Sequence, residues 1–93
     1  MREPYTPDGI TRNYQATKQR VISDLVGIVN DILTADDSIV LLGSGKHVEI
    51  SDASNFRTWL TLHEEVIEQF RKVGWNVERM PGEEPRYKFR MPE

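Results

Sequence analysis

Ninety-three residues with 38% hydrophobic and 29% charged side chains suffice for one folded domain with a modest core. The chain has no cysteine, which excludes disulfides, thiol nucleophiles, cysteine-based zinc sites and iron–sulfur ligation. Its net charge of −3 gives no global pull toward nucleic acid or anionic membranes. No apolar run approaches the ~18 residues of a membrane span, and the first nine residues lack the apolar core of a signal peptide. A cytoplasmic protein is expected.

In chain order, residues 1–12 hold Pro4, Pro7 and Gly9 and are expected to form a flexible tail ahead of a single domain over 13–93. Tyr5 is the natural anchor if that tail docks on a neighbour. From about Asn13 to Thr34 the apolar spacing predicts a long helix. Val21, Leu25, Ile28 and Ile32 make one row, and Ile22, Val26, Val29 and Leu33 make the adjacent one. That face is too wide for a lone surface helix, so a sheet, a second helix or another copy of the chain must cover it. The row Val21, Leu25, Ile28 and Ile32 is the candidate for self-association into a homo-oligomer. Gly27 costs the helix about 1 kcal/mol relative to alanine, and close packing against a partner element would be one reason to keep it. The charges run against the helix dipole, with Lys18 and Arg20 early and Asp31 late.

Ala35 to Ser38 is expected to break the helix. Ile39 to Leu42 and His47 to Ser51 are strand candidates around Gly43-Ser-Gly-Lys46, a hairpin turn. A second turn follows over Asp52 to Asn55, and Phe56 to Leu60 is expected as a strand. The alternative is a helix that starts at Ser54 and continues to Val73. Thr61 and Glu64 have capping-box spacing, which favours a helix from about Leu62 to Val73. Leu62, Val66, Ile67, Phe70 and Val73 would face the core, leaving Glu64, Glu65, Glu68, Gln69 and Lys72 to water. Gly74 ends this helix in the left-handed region. The period then switches to alternation, predicting antiparallel strands near 75–80 and 86–91 with Trp75, Val77, Tyr87 and Phe89 under the helix. The fold class is therefore α+β: a long N-terminal helix, a small antiparallel sheet, and a second helix followed by a C-terminal β-hairpin.

The run Glu-Val-Ile-Glu-Gln-Phe-Arg-Lys-Val-Gly-Trp-Asn-Val-Glu-Arg over 65–79, followed by a turn and an aromatic strand, resembles a pattern in small uncharacterised proteins of tailed bacteriophages. The likeness covers the last third of the chain. It implies a strand, a helix ending in a Phe-Arg-Lys-x-Gly-Trp-like sequence, and a hairpin. Those proteins carry an acidic Asp-Gln-Arg-Asp-like turn where this chain has Pro81-Gly-Glu-Glu-Pro85. The resemblance implies no known activity, so no functional residues carry over.

Motifs for catalysis fail on inspection. Gly43-Ser-Gly-Lys46 lacks the first glycine of a phosphate loop, and His47 stands where the magnesium-binding hydroxyl belongs. His63-Glu64 begins like a zinc-protease helix, but position 67 is isoleucine. The acid pairs Asp36/Asp37 and Glu83/Glu84 fall in expected turns, where solvated carboxylates are ordinary. No enzyme, cofactor or metal is expected. The expected function is a phage-type accessory protein that binds another protein and inhibits or modulates a host system, through an acidic helix face at Glu64, Glu65 and Glu68. Arg79, Lys88 and Arg90 on the hairpin are the other candidate contacts. A nucleic-acid-binding accessory protein using that hairpin, or a virion component, are the alternatives.

Overall fold

A computed structural model describes residues 3–51 and 56–92. In order the elements are α1 (Pro7–Leu33), α2 (Asp36–Gly43), β1 (Val48–Ile50), α3 (Phe56–Lys72), β2 (Asn76–Arg79) and β3 (Tyr87–Arg90). The α+β class, the long first helix and the C-terminal hairpin are as expected. Several boundaries are not.

The expected tail to residue 12 gives way to helix at Pro7. Thr6 is extended, and its Oγ1 accepts from the Gly9 N–H at 3.2 Å. Proline at the first helical position has no N–H to lose and a φ already suited to the helix. Tyr5 folds back along α1 yet stays 65% exposed. Its ring lies against Gly9, where a Cβ would meet ring atoms at 2.7 Å, and Asn13 Nδ2 donates to its hydroxyl. Ile22, Leu25, Val29 and Leu33 are buried along α1, so the two apolar rows are shared between core and margin.

The strand expected at Ile39–Leu42 is instead the short helix α2. Asp36 and Asp37 sit in its first turn, where the dipole favours them, and Ser38 and Leu42 are its buried face at i, i+4. Gly43-Ser-Gly-Lys46 is a helix stop rather than a hairpin turn. The Lys46 N–H bonds to the Leu41 carbonyl at 2.9 Å and the Gly45 N–H to Leu42 at 3.2 Å, with Gly45 at φ +82°. These are the paired bonds of the Schellman motif. The same pattern closes α3, from Trp75 to Phe70 and from Gly74 to Arg71, with Gly74 at φ +106°.

Phe56–Leu60 is helical, the first turn and a half of α3, as in the alternative reading. Thr61 does not cap anything; its Oγ1 donates to the Arg57 carbonyl at 3.1 Å, one turn back inside the helix. The apolar stripe begins at Trp59 and runs through Leu62, Val66 and Phe70 at helical spacing, and it outweighs the capping signature. Trp59 is wholly buried, and its Nε1 donates to the Pro85 carbonyl at 3.4 Å. Val73, expected in the stripe, is 75% exposed because it follows the last helical turn. The turn expected at Asp52–Asn55 lies outside the described residues.

The sheet order is β1-β3-β2, with β3 antiparallel to both neighbours. β1 and β2 therefore run parallel to each other, with α3 as the crossover between them. Val48, Ile50, Val77, Tyr87 and Phe89 alternate inward and join Trp59, Val66, Ile67 and Phe70 with the α1 residues in one core. Phe89 sits edge-on to both Phe70 and Trp75 at its centre. The opposite face of the sheet is polar, with Glu49, Lys88 and Glu78 in one rung. The molecule is elongated along α1, 58 × 25 × 23 Å.

Candidate functional site

The histidine chemistry is structural. His63 Nδ1 lies 2.6 Å from the Tyr87 hydroxyl, and its ring tilts between Trp59 and Tyr87. Burial pushes the His63 pKa down, assisted by the Arg79 guanidinium and opposed by Glu64. Burial likewise pushes the Tyr87 phenol up. Both groups are thus held neutral, a hydrogen-bonded pair joining a partly buried histidine to a core tyrosine. Position 67 of the zinc-like pattern is fully buried core. Among the described residues no three metal-capable side chains converge, and no buried polar side-chain atom lacks a partner.

The acidic row on α3 is largely neutralised by the chain itself. Glu64 faces Arg79 at 3.9 Å, Glu65 takes a 2.9 Å bond from Lys18, and Glu68 pairs with Arg71 at 2.7 Å. Arg79 has the same strand parity as Val77, which turns it toward α3 and away from the other hairpin cations. Lys88 and Arg90 stand on the outer sheet face, and Lys88 is flanked by Glu49 and Glu78. The expected partner contacts therefore divide between two faces and carry little net charge on either. Arg71 also reaches the sheet, where its Nη2 donates to the Val77 carbonyl at 3.1 Å and occupies an outward acceptor of the edge strand β2. Of the self-association row, Leu25 is committed to the chain's own core, while Val21, Ile28 and Ile32 are half-buried at its margin.

What remains is a surface in the N-terminal half of α1. Ile10 and Tyr14 are 61% and 49% exposed. With Val21 on α1 and Leu62 on α3 they floor an open, apolar groove of about 350 Å³, with Lys18 and Arg57 at its rim. Lys18 reaches Tyr14 as well, its ammonium 5.6 Å above the ring centre, and the bond it donates to Glu65 holds that ammonium above its ordinary pKa. A larger groove of about 420 Å³ lies farther along the same helix pair, but Gln19, Ser23, Asn30 and Gln69 interrupt its apolar lining. The apolar groove is the more selective feature, since contiguous exposed apolar surface costs solubility unless something covers it. Sequence reasoning misses it because Ile10 falls within the expected tail. The i, i+4, i+11 spacing of Ile10, Tyr14 and Val21 carries the signal.

No known protein family, curated protein or solved structure matches the chain.

Proposed function

We propose that this is a non-enzymatic accessory protein that works by docking onto protein, and that the groove between α1 and α3 is its working surface. One observation carries the reading: Ile10, Tyr14, Val21 and Leu62 form an apolar floor with cations at its rim, on a chain whose net charge is negative. Apolar anchors in a cleft with a charged border suit a helical segment laid into it. The acidic α3 face and the basic hairpin are weaker candidates, because each is matched by opposite charge from the same molecule. That its partner is a host protein, met in a host cytoplasm, rests on the resemblance of residues 65–79 to tailed-phage proteins.

The test is affinity capture of the tagged chain from bacterial lysate, with and without nuclease, beside two variants. Tyr14→Glu should release a discrete protein, while the pair Lys88→Glu and Arg90→Glu should keep it. Capture lost on nuclease treatment or with the hairpin variant, and unaffected by Tyr14→Glu, would refute the groove and favour nucleic acid.

A further inference from the structure

We propose that the groove is filled by α2 of a second copy of this chain, in an antiparallel two-fold dimer; this rests on the groove being a protein-docking surface. The chain carries a feature that fits it. α2 exposes Ile39, Val40 and Leu41 at 55, 66 and 39%, one residue beyond Asp36 and Asp37. An apolar peg headed by two carboxylates thus sits at one end of α1, and an apolar socket rimmed by Lys18 and Arg57 sits at the other.

The charge pattern sets the direction. From Ile10 to Ser23 there are three cations, Arg12, Lys18 and Arg20, and no acid. From Asp24 to Asp37 there are four acids, Asp24, Asp31, Asp36 and Asp37, and no cation. Among the described residues, Arg12, Arg20, Arg57 and these four aspartates make no ion pair. Within α1 only Asp31 lies in a terminal turn against the helix dipole, a small electrostatic cost in a single copy. A parallel neighbour would stack like charges, whereas an antiparallel one sets each block against its opposite. Arg20, Asp24 and Asp31 fall on one outward flank at i, i+4, i+11, so in an antiparallel pair Arg20 lies within about one turn of Asp24 and Asp31 of the other helix.

The distances agree with two simultaneous contacts. Tyr14 and Leu33 are about 28 Å apart at 1.5 Å per residue. The half-buried Val21, Ile28 and Ile32 fall between them and continue the apolar line from socket to peg. Each copy owns one peg and one socket, so a two-fold axis satisfies both and the assembly closes as a dimer rather than a filament.

Sedimentation equilibrium on the full chain tests this directly, with an expected mass twice 10.8 kDa. The peg variant, Asp36→Arg with Asp37→Arg, and the socket variant, Arg57→Glu, should each weaken the dimer at least tenfold. Mixing them should restore pairing as a heterodimer, because the reversed charges face each other; simple misfolding would not be rescued. A wild-type chain that stays monomeric at high concentration overturns the proposal, as does a dimer indifferent to the peg variant, the socket variant and Tyr14→Glu. If the wild type is monomeric yet Tyr14→Glu still abolishes capture of a protein, the groove stands and only the self-docking falls. If Tyr14→Glu alters neither mass nor capture, both fall.

Discussion

Two glycines separate backbone conformation from packing with unusual clarity. Gly27 lies inside α1 and Gly74 ends α3 at φ +106°, and a Cβ built on either meets nothing within 4 Å. Steric clash therefore cannot contribute at either site. Adding a methyl removes backbone freedom from the unfolded chain in both cases, a gain of about 0.4–1 kcal/mol where the native conformation tolerates it. At Gly27 it does, and alanine should stabilise by roughly 0.5–1 kcal/mol. At Gly74 the left-handed geometry costs an L-residue roughly 1–2 kcal/mol, which outweighs the gain. Gly74→Ala should then destabilise by about 1 kcal/mol, or about 4–8 °C in Tm for a domain of this size. Thermal melts followed by circular dichroism on dilute protein would read both shifts. Opposite signs are required. If both variants melt higher, or Gly74→Ala is neutral, the Schellman closure at Gly74 is not the conformation in solution.

Three other consequences are open to measurement. Trp59→Ala should cost about 3–5 kcal/mol in urea unfolding, since a wholly buried indole and its bond to Pro85 are lost together. A cost below about 1 kcal/mol would mean that residues 56–60 are not part of the core helix. Because burial lowers the folded-state pKa of His63, the unfolded chain binds its proton first. Its contribution is complete above about pH 6.5 and is lost as pH falls below that value through the folded pKa. His63→Asn should remove that part of the acid slope; an unchanged slope places the titration elsewhere. Arg71→Ala should change stability by about 0–1 kcal/mol, as befits a half-exposed side chain, yet promote association by baring the Val77 carbonyl of β2. Light scattering at rising concentration would detect this, and a silent variant would show that the edge needs no guard.

Legibility follows the length of the signal. α1 and the latter part of α3 are readable because three or more turns of apolar spacing agree with each other, and Gly74 is readable as a stop because a long helix precedes it. Gly45 performs the same closure but resembles a hairpin turn in sequence, since α2 offers only two turns and its Ile39-Val40 pair also suits a strand. Thr61-x-x-Glu64 is the converse error, a short motif set above a periodicity that begins at Trp59. Pro7 looks like a breaker, although after Thr6 it is a start. That one ambiguity hides Ile10 and with it the groove. The charge neutralisation of Glu64, Glu65 and Glu68 is not legible as a whole. It depends on Arg79 and Lys18, which only the tertiary fold brings to α3.

The length of the molecule has a hydrodynamic consequence. Its radius of gyration is 16.1 Å, against about 12 Å for a compact globule of this chain length. A body 58 Å long and 25 Å wide sweeps out more solvent than its mass implies, so one copy elutes early in gel filtration and imitates two. Two such rods laid side by side have a lower axial ratio than either alone. Pairing should therefore lower the frictional ratio even as the mass doubles, whereas an end-to-end chain of copies would raise it.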